Sequence, residues 1–373
     1  MLSNKIWTYI VWSVGIIGLM ILLFNLRNAN FQKQQGLEEI GDVGYESAVV
    51  VEAVDGEIDS EFIYFDYVAQ DVKVQLNSGE VVDIGVQEYS APNKVKAGDK
   101  VIVSTVLQVD GGKLYGLVDR NRTSSLLIIF GIFVLALLVL VGLKGFTSLA
   151  GLIFSIGVVA GFVVPQILGG SNALLISVLG ALVIALVSIY MSHGVNKRSN
   201  IALVGTVITI FIAIGLAYFF VELAGLTGTG TEESIYAGFL GGTEGLNLKG
   251  LLLGGIIIGT LGILDDITVT QTSVVEQLSD ANKTLGFSEL YRKSFVVGKD
   301  HIVSMVNTLA LAYVGAGLPL LLLFVTGAKP FWVVMNSQLV SEEVIRTLVG
   351  SVALILAVPI TTYIAAKYFS KES

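Results

Sequence analysis

Between Ser124 and Ala366 the sequence returns seven times to an almost uninterrupted apolar run: Ser124 to Leu143, Phe146 to Leu168, Ala173 to Met191, Ile201 to Ala224, Leu248 to Leu264, Ile302 to Thr326 and Ile345 to Ala366. Each holds about 17 to 25 residues, and at roughly 1.5 Å of rise per residue such a run crosses the hydrocarbon core of a bilayer as a helix. One water-soluble domain cannot hide that much apolar surface, so the pattern restricts the chain to an α-helical polytopic membrane protein. An eighth run, Ile6 to Leu26, lies between Lys5 and Arg27. It is long for a signal peptide and no A-x-A cleavage site closes it, so residues 1–27 are expected to be an uncleaved transmembrane anchor. The composition agrees, with 54% hydrophobic and 14% charged residues in 373.

The charge is unevenly placed. Residues 36–122 carry 17 Asp and Glu against 7 Lys and Arg, a net of −10 in a chain whose total is −8. There the period shortens to alternating runs at Glu46 to Val54, Asp71 to Leu76, Val81 to Val86, Lys100 to Val109 and Lys113 to Val118. Asn77-Ser78-Gly79, Gly98-Asp99 and Asp110-Gly111-Gly112 punctuate them. A small all-β domain of the OB or SH3-like barrel kind is expected over 36–122. Its acidity excludes nucleic acid as a partner. The chain has no cysteine, which excludes disulfides, thiol nucleophiles and thiolate metal sites.

Lys and Arg in short loops orient the spans. With the N-terminus in the cytoplasm, so are Lys144, Lys197-Arg198, the Lys283 to Lys299 segment and the tail with Lys367 and Lys371. The β domain and the Leu226 to Asn247 loop, with Glu232, Glu233 and Glu244, then lie outside. Eight spans with both termini cytoplasmic are expected, residues 123–368 forming a seven-helix membrane domain with a cytoplasmic elbow over 265–301.

The run Gly259-Thr-Leu-Gly-Ile-Leu-Asp-Asp-Ile-Thr-Val-Thr-Gln271 carries the most costly groups. Carboxylates beside a membrane span need water, a partner or an ion. Asp265 and Asp266 are expected just beyond the end of the span at Leu264, with Ile267 to Leu278 continuing helically after them. Neighbours on a helix point about 100° apart, so both face one site only if the backbone breaks between them. Oxygen donors of this kind, with Thr268 and Gln271 following, suit a proton or a hard cation. Whether they hold a metal ion is left open by the spacing. Asp300, His301, Ser304, Asn307 and Thr308 open the next span with a polar face, and His301 beside a carboxylate would form a proton-handling pair. Gly254, Gly255, Gly259 and Gly262 stand at spacings that let another helix or a ligand approach the backbone. Pro165, Pro319 and Pro359 fall within spans and tend to kink them.

Enzyme chemistry has little to build from. H-E-x-x-H, Walker and nucleophile-elbow motifs are absent, and there are only 2 histidines. No catalytic role and no cofactor is expected.

The Gly259 to Gln271 run, with Leu285-Gly-Phe-Ser-Glu-Leu-Tyr-Arg292 and Val297-Gly-Lys-Asp-His-Ile302 leading to Asn307-Thr308-Leu309-Ala310, resembles the YibE/F family of bacterial multispan membrane proteins. The resemblance implies an anchor, a soluble β segment and a helical membrane region in a bacterial plasma membrane. It also implies a related membrane protein or a second copy as a partner beside the lipid bilayer, and it implies no substrate. Two function classes follow. One is a secondary transporter or channel-like permease with a polar site at the cytoplasmic end of the sixth and seventh spans, formed by Asp265, Asp266, His301 and Asn307. The other is a non-transporting assembly or sensory protein that binds a partner or ligand through its β domain.

Overall fold

The computed structural model describes residues 43–56, 67–90, 94–108, 111–240, 246–318, 322, 327 and 330–370. The expected anchor at Ile6 to Leu26, Pro319 and most of the seventh span beyond it lie outside the described residues. The chain divides into two compact units, whose described parts are residues 43–140 and 141–370.

In the first unit, β1 (Val43–Gly56), β2 (Tyr67–Leu76), β3 (Val81–Ser90), β4 (Lys100–Leu107) and β5 (Lys113–Arg120) form one antiparallel sheet in the order β3-β2-β1-β4-β5. The five alternating runs of the sequence coincide with these five strands. Alternation places Val72, Val74 and Leu76 of β2, Val82 and Ile84 of β3, and Val101 and Val103 of β4 on one buried face with Ala48 and Val50 of β1. Bulges in β1, β3 and β5 bend the sheet, making a five-stranded half-barrel. Gly79 (φ 87°) and Gly111 (φ 83°) occupy the left-handed positions of the β2–β3 and β4–β5 turns, which explains the glycines in those turn signals. The Gln70 side chain ties β2 to β1 and to the segment before β4. Its Oε1 accepts from the Val95 amide at 3.0 Å, and its Nε2 donates to Asp55 Oδ1 at 3.1 Å.

Helix α1 (Thr123–Val141) follows the sheet. It has 19 residues and a mean hydropathy of 3.0, and none of its residues is buried. About 28 Å long, it is apolar on every side, so its environment is hydrocarbon.

The second unit is helical: α2 (Leu143–Val158), a π-helical turn at Val159–Val163, α3 (Val164–Leu168), α4 (Ala173–His193), α5 (Lys197–Leu223), α6 (Glu232–Leu240), α7 (Leu248–Ala281), α8 (Phe287–Ala316), α9 (Phe331–Met335) and α10 (Gln338–Phe369). Asparagines open three of the long helices: Asn172, Asn196 and Asn247 accept from the amides of Leu175, Ser199 and Gly250. Among the described residues six helices are long and apolar enough to cross a membrane: α1, α2 through α3, α4, α5, α7 and α10. This makes the chain a multi-pass membrane protein. Of the eight spans expected, the anchor is undescribed. The described half of the seventh, within α8, carries Lys299, Asp300 and His301, too polar to count among the six.

Helix α7 is the centre of the bundle. It packs against α4, α5, α8 and α10. Its Ile257, Leu261, Leu264 and Ile267 share a core with Ala181 and Ala185 of α4, Ile210 and Ala213 of α5, and Ala353 and Ala357 of α10. The span expected to end at Leu264 and the helical stretch expected from Ile267 are one helix: α7 runs for 34 residues to Ala281 without a break at the aspartates, because Ile267, Thr268, Gln271 and Val275 continue a buried face. The chain bends instead at 282–286, where the Thr284 amide and hydroxyl donate to Asn282 Oδ1. The amphipathic half of α8 lies on the bundle rather than in solvent: Leu290, Ser294 and Gly298, at four-residue spacing, are buried. Phe287 meets Tyr363 of α10 edge to face at 5.4 Å.

At the opposite end, Thr231 caps α6 by accepting the Ser234 amide at 3.1 Å. The loop before it is tied to α10: the Gly230 amide donates to the buried Glu342 at 3.1 Å, and the Thr227 and Thr229 hydroxyls donate to Gln338 Oε1.

Candidate functional site

A cavity opens between α2, its π turn, α4 and α7. Three local causes shape it. Gly151 of α2 faces α4 so closely that a Cβ there would stand 3.3 Å from Ser192 Oγ, so α2 and α4 are pressed together along a stripe of serines. Pro165 has no N–H for the carbonyl four residues back, and its ring clashes with that carbonyl in an ideal helix. The wider π turn at Val159–Val163 accommodates this. Gly262 of α7 has nothing within 4 Å of where a Cβ would lie, which leaves that wall low.

The result is a mostly apolar cavity of about 650 Å³ with one polar side: Leu152, Ile156, Val159, Ala160, Val164, Ile184, Ile258 and Leu261 line it together with Ser148 and Ser155 of α2, Ser188, Ser192 and His193 of α4, and Gly262, Asp265 and Asp266 of α7. Ser188 Oγ donates to Asp265 Oδ2 at 2.9 Å. The other carboxylate oxygen, Oδ1, is buried and has no hydrogen-bond partner among the described residues. An ionised carboxylate withdrawn from water is costly until both oxygens are satisfied. That oxygen can accept from a donor group, take a proton or face a cation. Ser155 Oγ is engaged with the Gly151 carbonyl at 2.9 Å.

The structure brings Asp265 and Asp266 to one cavity without a break in α7. Asp265 points inward, whereas Asp266 is exposed at the rim, so a wide opening spans the angle between adjacent helical positions. Thr268 and Gln271 lie elsewhere. Thr268 Oγ1 is 2.7 Å from Thr206 Oγ1 of α5, fully buried. Gln271 Nε2 donates to the Ser294 carbonyl of α8 at 3.0 Å and to Thr362 Oγ1 of α10 at 2.7 Å. Both hold helices together. His301 is partly buried and Asn307 exposed on α8, and neither lines the cavity. Of the glycines, Gly254 is pressed against Ser177 of α4, Gly259 has the Tyr313 hydroxyl 3.6 Å from its would-be Cβ, and Gly255 and Gly262 face open space.

The histidine that reaches the aspartates is His193, whose sequence signal was its place at the charged end of a span beside Lys197 and Arg198. Ser188 and Ser192, one helical turn apart, were legible as a polar stripe on one face. Among the described residues no group of three or more His, Asp or Glu is placed to hold a metal ion.

No curated protein and no solved structure matches this chain. A family model described as YibE/F-like protein matches residues 129–371, a stretch that contains every residue of the cavity and well over half of the sequence. The chain belongs to the YibE/F-like family.

Proposed function

We propose that the protein is a secondary permease of the bacterial plasma membrane that moves a proton or a small hard cation by way of Asp265. The observation that carries this reading is the inward-facing Asp265 carboxylate, with one oxygen on Ser188 and the other unpartnered, in an open cavity among membrane-crossing helices. Ionisable groups at such depth are retained for work on ions or protons. The surrounding oxygens, from Asp266 and the serine hydroxyls, suit hard cations and protons over soft metals. No nucleotide-binding motif supplies energy, so an ion gradient or membrane potential drives the movement. The Lys and Arg distribution supports cytoplasmic termini, an external β domain, and a cavity nearer the cytoplasmic side, where Lys144, Lys197 and Arg198 lie.

Purified protein in liposomes, under an imposed potassium diffusion potential, tests this with a pH-sensitive dye inside and radioactive sodium outside. Wild type is expected to pass protons or sodium faster than protein-free liposomes. Asp265→Asn should reduce that flux about tenfold or more, the loss of one charge-assisted interaction of roughly 1.5 kcal/mol. Flux in Asp265→Asn equal to wild type removes the site, and wild-type liposomes as tight as empty ones remove the permease.

A further inference from the structure

A second cavity, of about 480 Å³ and mostly apolar in its wall, lies next to the first and carries Arg198, Thr270, Ser273, Gln277 and His193. His193 is the residue common to both cavities. Along α7, Asp266, Thr270, Ser273 and Gln277 are spaced by four, three and four residues, so they form one helical face. That face starts at the rim of the Asp265 cavity and ends in the second, while the neighbouring Val269 and Val275 are buried.

His193 is the last residue of α4. The chain turns at Gly194 (φ 77°), and Asn196 Nδ2 donates to the carbonyls of His193 at 2.8 Å and Gly194 at 3.2 Å. The backbone there is pinned, and the imidazole is left at the junction. The charged groups within electrostatic reach of it are Arg198 of α5, Asp266 of α7 and Lys144 of α2. Arg198 is fixed by its ion pair with Glu276 at 2.6 Å, which stations a guanidinium on the wall of the second cavity.

We infer that His193 is a proton relay linking the Asp265 cavity to the second cavity, and that the permeant species is the proton. The inference rests on the permease reading and narrows it. A metal cation entering the second cavity would meet the Arg198 guanidinium on its wall, which disfavours it there even though Glu276 offsets part of the charge. A proton needs only an acceptor on one side and a donor on the other. Imidazole has both: one ring nitrogen takes a proton from the Asp266 side, the other gives up its own toward Thr270 and Ser273. The ring stays neutral overall and is reset by rotation about its side-chain bonds. One proton enters and one leaves.

The experiment uses the full chain in proteoliposomes, with protons and sodium followed separately. His193→Ala and His193→Gln should each pass protons at about a tenth of the wild-type rate or less. Added imidazole should restore much of the flux to His193→Ala, whose truncation leaves room for it, and little to His193→Gln. His193 is exposed, so both variants should match wild type in gel filtration and thermal unfolding; Ser273→Val, which interrupts the stripe beyond the relay, gives a second route to the same loss. Proton flux unchanged in the His193 variants overturns the relay and leaves the permease standing. So does flux lost in His193→Ala without rescue by imidazole. Sodium flux that depends on Asp265, with no proton flux, also overturns the relay alone. Absence of any wild-type flux overturns both.

Discussion

Gly254 and Gly255 are chemically identical neighbours with opposite surroundings. A methyl group on Gly254 would run into the buried Ser177 of α4, whereas one on Gly255 would meet nothing within 4 Å. Gly254→Ala should therefore cost about 1–3 kcal/mol through overpacking of the α4–α7 contact. Gly255→Ala should be neutral or stabilising by up to roughly 1 kcal/mol, because alanine removes backbone freedom that glycine loses on folding. Thermal unfolding in detergent measures both, and a Gly254→Ala variant as stable as Gly255→Ala would show that the helices do not meet there. Gly298 makes the same kind of contact with Val358 and Gln271 on the other side of the bundle. It stands outside any glycine repeat, so its role was invisible in the sequence. The local pattern announces that a glycine is in a helix; which neighbour it admits is a property of the packing.

Among the elements, the sheet and α7 respond to different forces. Cross-strand partners Glu52 of β1 and Lys73 of β2 form an exposed ion pair at 2.8 Å, and Lys94 reaches Asp55 at 2.7 Å. The Lys73 ammonium holds the Glu52 carboxyl below its usual range, and Lys94 with Gln70 does the same for Asp55. A carboxyl whose folded value is lowered contributes stability above its unfolded value, about 3.9 for Asp and 4.3 for Glu, and loses it as pH falls through the folded value. Acidification from about pH 5 should thus loosen β1 and β2 to a small extent, since exposed pairs are weak. Hydrogen exchange of the β1 and β2 amides should show a shallower pH dependence in Glu52→Gln with Asp55→Asn than in wild type. An identical profile in both proteins would deny the pairs any part in it. In α7, the continuity past Leu264 comes from tertiary burial of Ile267, Gln271 and Val275. The apolar run alone marks only the stretch that the bilayer demands.

At the scale of the whole molecule, the buried core of the half-barrel uses residues between Ala48 and Val103, whereas the buried clusters of the helical unit use residues from Phe154 onward. Among the described residues the two cores share no side chain. Replacing residues 43–120 by a short Gly-Ser linker is expected to leave the thermal unfolding of the helical unit within a few degrees of the full chain and the Asp265-dependent flux in place. Loss of flux with the bundle still folded would favour a β domain that governs the membrane unit. Hydropathy, alternation and a carboxylate in an apolar run are local properties that survive without packing, so the membrane-protein class, the strand-forming runs and the conspicuous aspartates were legible in the residues. Packing settled that α7 passes the aspartates without a break and that Asp265 meets Ser188. It decided too that His193 is the histidine at hand, while Thr268 and Gln271 are spent on holding helices together. Those outcomes depend on which faces of α2, α4 and α7 meet, and that is set by side-chain volume at glycines and serines and by one proline-linked π turn, spread over more than a hundred residues of chain.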